Sequence, residues 1–433
     1  MTTTRLPRYE AQKGSALVMA VIVLLLLTTM GITLLFVADS DAKMNQAGIR
    51  AKKAFFIAEA GLEAGREQLR LNNLSSTNPK SLSDELYAAS GTNHAINFNE
   101  ANLKPTYDAN GNVTGFTGYG DDAPIKAATA FGGGYYAAFL TNDPIDGKTV
   151  LTDSNKRVMI TAIGAGRNQS VEIVQAIVFP NQLPPFPSAI TLLGPTANFD
   201  GGSSNAKKYT GTDCSGATGY TGVGGLYVPV VGTMNAASEA SAEAGVRKPA
   251  NYTSGPSDTG LATVTDVSST IDPAWSSCQS LRDLADDVRA VADYVCTASS
   301  PCSHWSTATM NTVTFVDGDL DLSDGKGVLW VTGNLTIHGN TSFDGIILIV
   351  GKGLLTSSGG GNGHMIGTTL VANIAGPDGV YGNSDDCTGG TGGFGVASHL
   401  DDGNGNHDTI YCSDAISKAM FSFPMKVASF RQR

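Results

Sequence analysis

The chain has 433 residues with 28 Lys and Arg against 39 Asp and Glu, a formal net charge of -11 and 52 glycines. Its length leaves room for more than one domain and a real core. The acidic balance excludes a nucleic-acid binder, which presents a basic face, and 15% charged residues with abundant Gly, Ser, Thr and Asn fit an extracytoplasmic, β-rich, turn-rich protein.

The first element organises the rest. Residues 13 to 71 begin KGSALVMAVIVLLLLTTMGITLLFVADSDAKMNQ and run on through AFFIAEAGLEAGREQLRLNN. No charge falls between Ser15 and Ala38, and ~24 residues rising about 1.5 Å each span roughly 36 Å, enough for a bilayer. Beyond it Phe55, Ala58, Leu62, Gly65 and Leu69 recur at helical spacing, with Lys52, Lys53, Glu59, Glu63, Arg66 and Glu67 off that stripe. The pattern predicts one helix that leaves the membrane as an amphipathic rod. Arg5, Arg8 and Lys13 precede the span while Asp39 and Asp41 follow it, which puts the N-terminus in the cytoplasm and the bulk outside.

A basic leader ending in Lys13-Gly14, an apolar half-helix and an amphipathic half-helix resemble the type IV pilin family. GSALVMAVIVLLLL with AFFIAEAGLEAG resembles, more narrowly, the N-terminal region of PilX-type minor pilins, over roughly 60 of the 433 residues. The resemblance implies cleavage by a prepilin peptidase between Gly14 and Ser15, N-methylation of the new terminus, packing of residues 15–38 against other pilins, and an inner-membrane assembly platform as partner. Most pilins carry Glu at the fifth mature position, where this chain has Met19. A carboxylate among packed apolar helices needs a partner, and a subunit with no neighbour beyond it has none to offer. Met19 therefore suits a tip or initiating position. Two plainer readings compete: a secretory signal cleaved near Ser40-Asp41-Ala42, for which the apolar run is too long, and a simple anchor, which accounts for neither the leader nor the continuing stripe.

The chain then divides into a leader at 1–14, the helix at 15–71 with 15–38 in the membrane, a β head at 72–180, a proline-rich linker at 181–189 and a β-rich region at 190–433. SLSDELYAAS reads as a short helix and YDANGNVTGFTGY as a hairpin turning at Asn110-Gly111. Asp108, Asn110 and Asn112 have the spacing of a calcium loop's start, and a turn is the simpler reading. GGGYYAAFLTND, KRVMITAIGAG and QSVEIVQAIVF predict three antiparallel strands covering the rod's apolar stripe, which needs a cover because a lone amphipathic helix is marginal in water. Residues 190–275 carry only weak strand signals. Leu281, Leu284, Val288, Val291 and Val295 predict a helix packed by one face. VDGDLDL from Val316, VTGNLTI from Val331 and VGKGLLT from Val350 repeat a valine, a turn and an apolar residue, and GNTSFDGIILIV from Gly339 aligns with GNGHMIGTTLVA from Gly361. Over about 313–375 this predicts stacked β-solenoid turns, with a meander of hairpins as the alternative. The closing SKAMFSFPMKVASFRQR is expected to dock on the head. The fold class is α+β.

In an oxidising compartment the six cysteines read as disulfides. Cys296 with Cys302 closes a small loop, Cys387 with Cys412 would close the Gly/Asp-rich segment, and Cys214 with Cys278 is then left over. Zinc is disfavoured because no CxxC occurs and the six histidines are scattered. Asp378, Asn383, Asp385, Asp386, Asp401, Asp402, Asn404 and Asp408 offer oxygens of the kind calcium takes, but no full calcium loop with a terminal Glu is present, and solvated turns are the rival reading. GxSxG, HExxH and Walker-type motifs are absent from the sequence. Asp317, Asp319 and Asp321 are placed to share one strand face, without a base or arginine beside them in sequence, so no enzyme activity and no organic cofactor are expected. The expectation is a minor pilin without enzyme activity. It would be single-pass in the inner membrane and then displayed at a pilus tip, priming assembly or mediating adhesion. A type II secretion pseudopilus tip subunit and a membrane-anchored, glycan-binding surface β-solenoid are the alternatives.

Overall fold

The computed structural model describes residues 13–74, 81–91, 96–167, 169–181, 183–214, 219–255, 262–302, 311–358, 361–390, 392–395, 397–403 and 406–432. The leader up to residue 12 and Asn404 lie outside them. The described chain is α+β, with one long N-terminal helix and several β-sheets.

Helix α1 (Lys13–Leu74) is unbroken over 62 residues. Its sequence is rich in Leu, Ala and Met and holds no proline before Pro79, so nothing interrupts the backbone ladder. Its second half buries Ala54, Ile57, Ala58, Leu62 and Leu69.

Against that stripe lies the head. Helix α2 (Leu82–Ala89) opens with a capping box in which Ser81 and Asp84 satisfy each other's backbone N–H. The hairpin β1 (Lys104–Tyr107) and β2 (Val113–Thr117) turns through Asn110-Gly111, where Asp108 accepts from the Asn110 and Asn112 backbones and from Asn112 Nδ2. Those three residues close a turn on themselves. Strands β3 (Lys126–Phe131), β4 (Gly134–Asn142), β5 (Val158–Ala165) and β6 (Val171–Phe179) are antiparallel in sequence order. Gly164 of β5 meets α1 so closely that a Cβ there would stand 2.2 Å from the Ala58 nitrogen and 2.4 Å from the Ala54 oxygen. The rod can sit directly on the sheet only because that position is glycine.

The head does not end at residue 180. The C-terminal segment Lys426–Gln432 pairs antiparallel with β6 as the fifth strand of the sheet, Lys426 opposite Phe179. Residues 190–433 are therefore not one unit, and everything between β6 and this last strand is an insertion into the head. The proline-rich linker is not a free spacer either: Leu183, Phe186 and Ala189 are buried, and Phe186 packs on Trp275 with ring centroids 5.1 Å apart.

Within the insertion the chain runs through β7 (Ile190–Leu193), β8 (Ala197–Asp200), β9 (Lys208–Thr210), β10 (Val231–Thr233), α3 (Ala236–Ala244), β11 (Tyr252–Thr253), β12 (Val264–Asp266), α4 (Pro273–Ser276) and α5 (Cys278–Val291). Next come β13 (Tyr294–Thr297), β14 (Thr312–Asp317), β15 (Leu320–Leu322), β16 (Gly325–Val331), β17 (Asn334–His338), β18 (Ser342–Gly351), β19 (Leu354–Ser358) and β20 (His364–Asn373). Last are β21 (Ser398–Asp401), β22 (Asp408–Tyr411), α6 (Ser413–Met420) and the returning β23 (Lys426–Gln432). The large sheet runs β11-β9-β22-β20-β18-β16-β14-β13 and the small one β15-β17-β19-β21-β8, every pair parallel. From β14 to β19 the chain visits the two sheets alternately. Leu329, Val331, Ile347 and Ile349 of the large sheet face Leu335, Ile337, Leu355 and Leu400 of the small one. Trp330, Leu348 and Leu370 pack outward on α4, α5, α6 and the linker. Burial on both faces explains the unbroken apolar runs GVLWV and GIILIV.

Among the described residues no closed solenoid is formed. The repeats do correspond in register, Val316 with Val331, Leu320 with Leu335 and Gly345 with Gly367. The third repeat is offset: Val331 pairs with Ile349 rather than Val350, and Leu335 with Leu355. A longer corner through Gly351 and Gly353, both at positive φ, absorbs the extra residues. The expected helix also stops short of Val295, which lies in β13 beside Phe315, because the Tyr294–Thr297 run extends the large sheet instead.

Candidate functional site: an exposed apolar helix locked to its head

The candidate site is the first half of α1. From Leu17 to Val37 its large apolar side chains stand exposed, Met19 at 67% and Phe36 at 72%, and nothing in the head covers them. The helix is long and apolar enough to cross a membrane. Its few polar groups are dealt with internally, because the Thr28, Thr29 and Thr33 hydroxyls donate to the carbonyls of Leu25, Leu26 and Thr29 at 2.9, 2.9 and 2.7 Å. Hydroxyls bonded back to their own helix can enter hydrocarbon without an unsatisfied donor. Charge returns just past the apolar half at Asp39 and Asp41, and Asp39 pairs with Lys43 at 2.6 Å on an exposed surface. Lys13, Gly14 and Ser15 form the opening backbone of the helix.

At its far end the rod is tied to both the head and the insertion. Arg66 pairs with Glu63 at 2.6 Å, and its Nε donates to the Met425 carbonyl at 3.1 Å. Arg70 pairs with Glu67 at 2.7 Å and with Asp293 at 3.1 Å, and donates to the Ser422 carbonyl at 3.4 Å. The Arg70 charge is reinforced first by the Glu67 hydrogen bond, against burial, and then by Asp293. The helical spacing put Arg66 off the apolar face and gave no role to Arg70, since nothing local in the sequence could reveal partners so distant.

The disulfides are Cys214–Cys412, Cys278–Cys387 and Cys296–Cys302. The expected pairings Cys387–Cys412 and Cys214–Cys278 are not those of the structure. The parallel sheet brings the end of β22 beside the segment after β9, and Asp213 fastens that junction by accepting from the Ser413 and Val223 nitrogens at 2.7 Å each.

The acidic candidates fall in two segments, 378–386 and 401–408. Asp378 accepts from the Val380 nitrogen and Asn383 Nδ2, and Asn383 accepts from the Asp385 nitrogen. Asp386 accepts from the Gly382 nitrogen at 2.8 Å, and burial raises its carboxyl above the usual range. Asp401 accepts from the Gly403 nitrogen, and Asp408 accepts from the Lys208 nitrogen. Asp402 faces the ammonium of Lys207. Among the described residues, the group of three metal-ligating side chains close enough to share an ion is Asp213, Cys214 and Cys412, and its cysteines are bonded to each other. Asp317, Asp319 and Asp321 do not share one strand face: Asp317 closes β14 against Arg289 at 3.1 Å, Asp319 meets Lys352 at 3.2 Å, and Asp321 sits in β15 of the other sheet. A cluster that the sequence reading missed lies where β18 and β20 begin. There His364 Nε2 is 3.3 Å from Asp344 Oδ1 and Nδ1 is 3.3 Å from the Ser342 hydroxyl, while Tyr220 donates to Asp344 Oδ2 at 2.8 Å.

No protein-family model matches the sequence, and no curated protein matches it. Among solved structures, the competence-associated pilin ComZ from Thermus thermophilus is similar at 12% identity, over 89% of this chain and 98% of that one, with a TM-score of 0.21. A superposition that loose defines neither fold nor role for this chain.

Proposed function

We propose that the chain is a minor subunit of a type IV pilus machinery. In this reading a prepilin peptidase cuts between Gly14 and Ser15, residues 15–38 first anchor the protein in the inner membrane, and the same residues later pack among the helices of other pilins on the assembly platform. The observation that carries the reading is α1 itself, a single helix whose bare apolar half continues into a half that packs on an antiparallel sheet. Neither a cleaved signal nor a plain anchor requires that continuity. The parallel two-sheet insertion, read as an open solenoid, is the displayed part and acts by contact rather than by catalysis.

A tip position is supported by Met19, which asks for no charged partner from a subunit beyond, and by the bulk of the insertion, which is hard to repeat along a tightly packed shaft. Immunogold labelling of sheared filaments against the insertion is expected to mark one end of each filament. Even decoration along the shaft would contradict the tip position.

A further inference from the structure

The insertion holds a lysine with no exposed side-chain surface. Lys207, just before β9, is 0% exposed at its side chain, and its Nζ is 3.1 Å from Oδ1 of Asp402, itself 5% exposed and just after β21. The two residues are 195 positions apart. Nζ also donates to the Asp402 and Gly403 carbonyls. Around the pair are Tyr209, whose hydroxyl bonds Asp402 Oδ2, and Tyr252, stacked on Tyr209 with centroids 4.4 Å apart. Phe199 stands edge-on to Tyr209 at 6.2 Å. Nearby His407 is fully buried and engaged with the Ser357 hydroxyl and the His338 carbonyl.

We propose that Lys207 and Asp402 condense into an intramolecular isopeptide bond. Two charges enclosed in this buried, aromatic setting are expensive to keep. Transfer of one proton from ammonium to carboxylate leaves a neutral amine beside a neutral acid, which are also the reactive forms. Burial favours that state at Asp402, whose carboxyl is pushed above the usual range by desolvation against the opposing pull of Lys207 and Tyr209. The Nζ lone pair attacks Cγ, and the carbonyl electrons move onto the oxygen held by the Tyr209 hydroxyl. The nitrogen then gives up one proton, and the hydroxyl of the acid departs with it as water. One N–C bond forms, one C–O bond breaks, and no oxidant or reductant is needed. What the fold supplies is proximity: a fixed amine and acid at contact distance correspond to effective concentrations of roughly 10^5 M or more, which offsets the unfavourable condensation in water.

The bond would staple the segment leading into β9 to the end of β21. Like a disulfide closing a long loop, it would remove freedom chiefly from the unfolded chain. Unlike the three disulfides, it would survive reduction.

The test is peptide mapping of the full-length protein, extracted in detergent, digested after reduction, and weighed. A branched peptide joining the Lys207 and Asp402 segments, lighter than their sum by one water, is expected. Lys207→Arg should return two linear peptides of full mass, and Asp402→Asn should give the branched species with loss of one ammonia. Folding is checked in an unreduced digest of the same samples through the Cys214–Cys412 and Cys278–Cys387 linkages. Wild-type protein with both linkages intact, yielding only linear Lys207 and Asp402 peptides, would overturn the proposal and leave a plain buried ion pair.

Discussion

Arg70, near the end of the rod, holds Asp293 at 3.1 Å across 223 residues of sequence. Neither group is freely solvated, with 15% and 25% of the side chains exposed. The pair therefore escapes much of the screening that makes surface ion pairs nearly worthless. It fixes how the insertion is carried on the helix, which matters if the insertion is displayed on a filament. A double-mutant cycle with Arg70→Ala and Asp293→Asn is expected to return a coupling of about 1 kcal/mol by chemical unfolding of the detergent-solubilised chain. A coupling of zero would mean that this ion pair does not help to hold the insertion on the rod.

Close packing of rod on sheet makes a second prediction. Gly164→Ala places a methyl 2.2 Å from the Ala58 nitrogen, inside backbone that cannot give way. The expected loss is about 2 kcal/mol or more, seen as a lowered midpoint of unfolding. Gly48→Ala, on α1 itself with nothing within 4 Å, should be neutral or stabilising by about 0.5–1 kcal/mol. Similar effects at both positions would show that the rod does not bear directly on the sheet.

These features mark how far the sequence could be read. Helix periodicity placed Leu62 and Leu69 on the buried stripe, and alternation with Gly and Asn breaks found β4, β5 and β6, since both signals are local. The return of Lys426–Gln432 to the head sheet was legible only as a docking tail, because strand pairing across 250 residues or so leaves no local mark. The short Cys296–Cys302 loop was legible, but the other two pairings failed for the same reason: loop length favours near partners, whereas the parallel sheet brought Cys412 to Cys214. Lys207 gave no signal at all, since a lysine pair, Lys207-Lys208, after a Gly/Ser-rich stretch reads as solvated surface.

The Cys278–Cys387 bond ties the start of α5 to the loop after β20 across 109 residues. Replacing both with alanine is expected to cost about 4 kcal/mol, by relieving the unfolded chain of its constraint. Retention of wild-type stability by the variant would contradict that.

His364 supplies a pH dependence. Its pKa is raised above the ordinary ~6.5 first by the Asp344 hydrogen bond, against burial, with Asp344, Asp324 and Asp408 adding attraction. A raised folded pKa means stability that is fully present below about 6.5 and lost as pH rises through the folded value. Because 40% of the side chain is exposed, solvent screening keeps the effect small. The melting-temperature gap between wild type and His364→Gln should be widest near pH ~5.5 and narrow toward ~8.5. A gap that widened with pH would reverse the assignment.

The fate of α1 is read at the mature N-terminus, by mass spectrometry of membrane and sheared-filament fractions. The account predicts a chain beginning at Ser15 in both fractions. An intact Met1 in both would contradict it and leave a simple membrane anchor, and a terminus near Lys43 would mean that the apolar helix is removed before it can pack against anything.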